Sequence, residues 1–375
     1  MNRYNPIHLL TALLLGVLGV LLSGCETNAI APSEDNTRTI SFGSQVSATR
    51  ALIEDLSALQ TYAQGEGCGI GVFGSKKYNN DYNDLYINTR VWYDQTSTDP
   101  DTKWTYSPTK YWDVSSGVTY DFCAYAPYKA QSDGVTYSNF AFSYTVPQWQ
   151  PCTTADDQAA AIDLIVSENR NDGRYEPNND KCAFPGGIVK FSFQHKLAKV
   201  TVNVYKDATV SATKVTEVVI GGNGNAVGSG EKALTANQNA QVPGAQNITY
   251  SRNYHIKPDK DEYSAASLTA SGVKVFENAS GTDVTNTPTA LTTYLVAPFS
   301  LAAGNTIPVV VKYKSGEATE ATTTTVASTL TGFDANKEYN INIRILAGAG
   351  NVITTVIDIQ DWGNAIETSD DVYNW

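Results

Sequence analysis

Residues 188–205, IVKFSFQHKLAKVTVNVY, constrain the fold more than any other stretch. Val189, Phe191 and Phe193 alternate with polar neighbours, Leu197 follows, and the phase then slips so that Val200, Val202 and Val204 carry the apolar face. A period of two places successive side chains on opposite faces of a strand, whereas a helix would repeat every third and fourth residue. The slip predicts a bulge or bend near His195. Shorter apolar or alternating runs recur at 40–49, 68–74, 118–128, 140–146, 162–167, 215–220, 247–256, 293–298, 306–314, 339–345 and 352–359, separated by turns rich in Thr, Ala, Asn and Gly. Only Leu52, Ile53, Leu56, Leu59 and Tyr62 fall at helical spacing over a dozen residues. Twenty-two tyrosines against a single methionine fit the same reading, since aromatic residues favour strands. The expected class is all-β, of sandwich type.

The N-terminal region carries a different signal. Arg3 precedes an apolar stretch over 9–22, and Leu22-Ser23-Gly24-Cys25 places small residues before a cysteine, the pattern a bacterial lipoprotein signal peptidase cuts. The stretch is shorter than the ~20 residues of a spanning helix. Cleavage is expected between Gly24 and Cys25, with acyl chains on Cys25; several chains are needed for a stable hold on a membrane. Residues 1–24 then read as signal peptide and 25–38 as a lipidated, polar tether. About 350 residues remain, enough for two domains with cores of their own. A polar, Asn-rich segment before Pro185 suggests 39–187 for the first and 188–375 for the second. The net charge of −12 argues against nucleic acid as a partner.

Exported thiols can be oxidised, so Cys68, Cys123, Cys152 and Cys182 invite a disulfide reading. Position suggests the pairs Cys68–Cys123 and Cys152–Cys182; buried free thiols are the alternative. The chain has neither a Cys-x-x-Cys nor a Cys/His cluster, and no metal or cofactor is expected. Counting from Asp81, the cluster NNDYND lacks the glycine and the glutamate of an EF-hand loop. Asp259, Asp261 and Glu262 read better as a solvated turn than as a metal site. His195 has no nucleophile in a local motif, which favours a structural role and a protein that is not an enzyme. Gly221 opens a glycine-rich run with neither dinucleotide nor phosphate-loop spacing. Between Tyr78 and Trp112 the aromatics Trp92, Trp104 and Trp112 either pack the core or stack on sugar rings. The second option gives the alternative reading of a glycan-binding surface lipoprotein.

In residues 40–49, Ile40, Phe42, Val46 and Ala48 mark a strand with one buried face, ending at Thr49-Arg50-Ala51 where a trypsin-like protease could cut. Arg38 is a second basic site. A strand with a buried face leaves an apolar groove with unpaired N–H and C=O groups behind it, and such a groove favours another strand.

The order of several pieces carries a resemblance: the Leu-Ser-Gly-Cys of the signal, Trp104-x-Tyr106, Tyr111-Trp112, Tyr120-Asp-Phe-Cys-Ala-Tyr-Ala-Pro127, Phe191-Ser-Phe-Gln-His195-Lys-Leu-Ala-Lys-Val200 and Ile359-Gln-Asp-Trp362. Together they resemble the fimbrillin family of Gram-negative pilus subunits. The resemblance implies two tandem transthyretin-like β-sandwich domains, anchoring in the outer membrane through lipid on Cys25, and assembly into a surface fimbrium. It also implies removal of strand 39–50 by a cut at Arg50-Ala51 and entry of a donor strand from another fimbrial subunit. Adhesion to host or bacterial surface glycans or proteins would follow. The tail after Trp362 alternates poorly for a long donated strand, which leans towards a tip or accessory subunit.

Overall fold

The structure is a computed structural model that describes residues 40–43, 53, 56–64, 68–79, 81–98, 103–113, 115, 117–138, 140–168, 188–222, 241–253, 260–347, 353–362 and 366–367. The signal region, Cys25, the tether, Arg50, Ala51, Asp259 and Cys182 lie outside the described residues. The chain is all-β apart from short helices, as the alternation requires. No helix among the described residues is long and apolar enough to cross a membrane.

The first sheet has nine strands in the order Ile188–Lys190, Ser41–Gly43, Trp104–Thr105, Asp81–Tyr93, Ile70–Tyr78, Thr119–Ala126, Ile165–Glu168, Ser192–His195 and Ile366–Glu367. Ile188–Lys190 and Ser192–His195 are separated only by Phe191, yet they pair with Ser41–Gly43 and Ile165–Glu168, far apart in that order. One short run of chain therefore ties two distant parts of the sheet together. The sheet curls round an interior that includes Phe42, Val72, Tyr86, Trp104, Phe122 and Phe191.

Ile70–Tyr78 and Thr119–Ala126 are buried on both faces over six and seven successive residues. Val72 and Phe122 face that interior, while Phe73 and Tyr125 face a second core against Phe142, Tyr144 and Tyr250. Cover on both sides explains why Cys68-Gly-Ile-Gly-Val-Phe-Gly74 is a continuous apolar run instead of an alternating one. Gly71 is required there, because a Cβ would lie 2.1 Å from the Tyr125 ring. The cluster NNDYND is the tip of a hairpin. Tyr78 faces Asp81 across a two-residue turn, and Asn79 takes the left-handed φ of 50° that asparagine tolerates.

The second half forms a sandwich. One sheet runs Ile353–Asp361, Lys337–Ile345, Ala198–Lys206, Thr289–Val296 and Trp149–Pro151; the other runs Val273–Asp283, Thr213–Ile220, Val309–Ser315 and Thr322–Val326. Alternate residues of Ala198–Lys206 are buried as far as Val204, so Val200, Val202 and Val204 face Val215, Val218, Val309 and Val311 in one core. The slip of phase after His195 has a larger cause than the bulge expected from sequence. At Lys196 and Leu197 the chain bends out of the first sheet and enters the second.

Segments cross the 187/188 position in both directions. Trp149–Pro151 pairs with Thr289–Val296, Asn247–Asn253 pairs with Ala141–Pro147, and Ile188–Lys190 and Ser192–His195 belong to the nine-stranded sheet. The core around Phe73, Phe142, Tyr144, Tyr250 and Trp362 thus draws on both halves.

The expected Cys68–Cys123 disulfide is corrected. Cys68 is a free thiol, and Cys123 lies in register with Phe73, five residues further along the strand. At ~3.3 Å per residue the two are about 17 Å apart, against the ~7 Å limit of a bridge. Cys123 is buried instead, with the Ser167 hydroxyl 3.9 Å from its sulfur.

Candidate functional site: the seat of the N-terminal strand

Ile40 and Phe42 are each 1% exposed, which places the apolar face expected of this strand inside the first core. Ser41–Gly43 lies between two walls. It runs parallel to Ile188–Lys190, with Phe42 opposite Val189, and antiparallel to Trp104–Thr105, with Phe42 opposite Trp104. The Phe42 ring meets Tyr86, Tyr106 and Phe122 edge-on at 5.8, 5.3 and 6.3 Å and stacks on Phe191 at 5.7 Å. Residue 43 is the last described residue of this strand, so Val46, Ala48 and the bond at Arg50-Ala51 lie beyond it.

A buried hydroxyl relay closes the upstream end. Tyr86 donates to the Tyr106 hydroxyl at 3.0 Å, and Tyr106 donates to the Ile40 carbonyl at 2.7 Å. Tyr106 also accepts from the Lys110 amide at 3.1 Å, and the Ile40 amide donates to the Lys110 carbonyl at 2.9 Å. Burial pushes both phenols above their ordinary range, so they remain donors at any physiological pH.

The energetics are finely set. Burying Ile40 and Phe42 contributes about 1.5–3 kcal/mol each. Fixing four residues of backbone costs roughly 1–2 kcal/mol each. The two sums nearly cancel, which leaves the ring contacts, at ~0.5–1.5 kcal/mol apiece, and the hydrogen bonds as the margin that seats the strand.

A second buried arrangement lies just downstream. His195 Nδ1 is 2.9 Å from Asp163 Oδ1, and Asp163 Oδ2 accepts the Ile53 amide at 2.8 Å. The imidazole stacks on Trp362 with ring centroids 3.8 Å apart. His195 and Asp163 are each 2% exposed, and among the described residues no serine or cysteine is paired with this histidine. The geometry is that of a buried clasp. It joins the start of the helix region at Ile53 to Trp362, near the end of the last long strand.

The other candidates separate clearly. Trp104 and Trp112 are each 4% exposed and belong to the first core, which removes them as platforms for sugar rings. Trp92 packs partly against the same core, with the Arg90 guanidinium 5.3 Å from its ring. Asp261 is not a solvated turn residue but the centre of an ion-pair network. It binds Arg252 Nε at 2.9 Å, Lys196 Nζ at 3.1 Å and the Tyr250 hydroxyl at 2.6 Å. Burial alone would lift its carboxyl, and the two cations beside it more than offset that, holding it below the ordinary carboxylate range. Among the described residues no group of His, Cys, Asp and Glu is arranged to hold a metal ion.

Sequence reading missed the walls of the groove. Tyr86 sits in a strand too polar to recognise by period, and Val189 reaches Phe42 from almost 150 residues away. The one usable signal was Trp104-x-Tyr106, whose two rings both line the seat.

Among solved structures, a protein assigned to cell adhesion from Bacteroides uniformis is 18% identical, covering 87% of this chain and 98% of that one, with a TM-score of 0.47. A fimbrial assembly protein from Parabacteroides distasonis is 12% identical over 84% of this chain and 94% of that one, with a TM-score of 0.33. The tip fimbrial protein Mfa3 from Porphyromonas gingivalis is 11% identical over 78% and 95%, with a TM-score of 0.32. No curated protein sequence matches the chain. The fimbrillin-like family matches residues 49–362, most of the sequence, and the chain belongs to that family.

Proposed function

We propose that this chain is a non-enzymatic subunit of a cell-surface fimbrium that contributes to adhesion and joins its neighbour by exchange of the N-terminal strand. The observation that carries the reading is the seat of Ile40 and Phe42: a narrow apolar slot with a backbone wall on each side, filled by a strand. Removing residues up to Arg50 would expose that slot and its unpaired amides and carbonyls. A strand from another subunit would restore both the hydrogen bonds and the apolar burial, at about 25 cal/mol per Å². In this reading Cys25 carries lipid that holds the precursor on the outer membrane until the cut at Arg50-Ala51 frees it. Residues 39–187 and 188–375 act as two lobes that trade strands across their boundary.

The test is N-terminal sequencing of the protein in assemblies sheared from cells. Ala51 as first residue, with detergent-resistant ladders that vanish in Arg50→Ala, supports the proposal. Assemblies whose subunits keep residues 26–50 overturn it. A Cys25→Ser precursor that still takes up a radiolabelled fatty acid would remove the lipid step.

A further inference from the structure

The wall that holds the N-terminal strand continues past the end of Ser41–Gly43. Val189, Phe191 and Phe193 all lie in the first core, so residues 188–195 keep one phase through Phe191 and run as a single edge. Backbone bonds fix the side of that edge on which each partner lies, since successive residues of a strand turn their amides and carbonyls to alternate sides. The Ile40 amide and carbonyl both bond away from the edge, to the Lys110 carbonyl and the Tyr106 hydroxyl, so Ser41 and Gly43 turn towards it. In the parallel register of Phe42 with Val189, Val189 is the residue that turns to meet them. At the far end the Lys196 amide donates to the Leu164 carbonyl, so Ser192 and Gln194 face Ile165–Glu168 and Phe193 faces the opposite way. On that opposite side Phe193 pairs with Ile366 and Ser192 with Glu367. Val189 and Phe193, an even number of residues apart, turn to the same side. Ser41–Gly43 and Ile366–Glu367 therefore lie end to end along one edge.

The two tenants meet head-on. Ser41–Gly43 runs parallel to the edge and Ile366–Glu367 runs antiparallel to it. Gly43 is opposite Lys190, one further residue would be opposite Phe191, and the place after that, opposite Ser192, is held by Glu367. A ribbon entering in the direction of Ser41–Gly43 thus has room for about four residues, whereas the whole edge from 188 to 195 would take about eight. Ile366–Glu367 is the weaker tenant. Ser41–Gly43 has a strand on each side, while Ile366–Glu367 ends the sheet and among the described residues pairs with Ser192–His195 alone. Its leg is anchored upstream, where Trp362 stacks on His195 and donates its amide to the Asn336 carbonyl at 3.0 Å.

We infer that Ile366–Glu367 is a displaceable stop on the slot: an extended segment of another subunit, running parallel to residues 188–195, fills the whole edge by pushing this strand off it. Trp362 is then the fixed end of the displaced leg. The inference rests on the strand exchange proposed above and states what that exchange requires, a donor long enough to reach His195 and a receiver whose own C-terminal strand can leave.

The experiment uses the full chain with Ser192→Cys and Glu367→Cys, positions opposite each other in register, so that oxidation locks the strand on the edge and reduction frees it. Mass spectrometry verifies the joined peptide, and wild type treated alike is the control. A protease site engineered to end at residue 50 is cut and the released segment is removed. The probe is a fluorescein-labelled synthetic peptide of residues 40–48, whose apolar residues keep one phase and which, in the register of Ser41–Gly43, extends to His195. Binding is read by fluorescence polarisation. The reduced protein should bind at least about ten-fold more tightly than the same protein oxidised, and a chain ended at Trp362 should bind most tightly. Equal affinity in the locked and free states overturns the inference and leaves strand exchange standing. A chain ended at Trp362 that does not bind the peptide overturns both.

Discussion

Phe42→Ala tests whether the N-terminal strand is a separable part of the fold. The ring is 1% exposed and meets four aromatic rings at 5.3–6.3 Å, so its loss removes most of what holds the strand apart from Ile40 and the backbone. Deleting a buried phenylalanine costs about 3–5 kcal/mol. At about 1.4 kcal/mol per factor of ten, the population with the strand out of its slot rises by roughly 10²- to 4 × 10³-fold. Hydrogen–deuterium exchange read by mass spectrometry should show this at both walls, residues 104–106 and 188–190, while the second sandwich keeps its protection. Val356→Ala, on the outer strand of that sandwich where Val356 is 48% exposed, is the control and should change neither. If Phe42→Ala leaves exchange at the two walls as it was and instead lowers protection evenly across the chain, the strand is not separately released and the account of the slot is wrong.

Tyr106→Phe removes the hydroxyl that serves the Ile40 carbonyl, the Lys110 amide and Tyr86 together. A loss of about 1–3 kcal/mol in urea unfolding is expected, with faster exchange at residues 40–43. Gly71→Ala drives a methyl into the Tyr125 ring, and should lower stability by about 1–3 kcal/mol in the same assay. Asp113 gives a pH dependence. Its hydrogen bond from Lys76, aided by Ser115, holds its carboxyl down at about 2. A lowered folded value means that the unfolded chain takes up the proton first, so the contribution is complete above about pH 4 and fades as pH falls towards 2. Urea midpoints of wild type and Asp113→Asn should therefore converge at the acid end of that window and differ above it.

Alternation made the second half legible. The apolar phase of Val200, Val202 and Val204 is the buried face of the strand observed, and the helical spacing of Leu56, Leu59 and Tyr62 marks the helix Leu56–Tyr62. Among the strands that were not legible, three show the physical reasons. Asp81–Tyr93 is exposed or half-buried except at Tyr86 and Val91, so no period of two stands out. Val273–Asp283 buries only Val275, and Thr322–Val326 is four threonines and a valine whose burial rises along the strand without alternating. The site was half legible. The buried face of Ile40 and Phe42 follows from local pattern, but its walls and the Asp163 partner of His195 are contacts between distant segments, on which periodicity is silent.

The slot that holds Phe42 has a direction. One wall runs the same way as its occupant and the other runs opposite to it, so the evenly spaced bonds on the Val189 side and the paired bonds on the Trp104 side accept a ribbon of only one orientation without loss. A joint made through such a slot is unlike at its two ends, the giver on one side and the taker on the other. A one-way joint of that kind, if repeated, gives a ring where the rotation from one subunit to the next closes and an open thread with distinguishable ends where it does not.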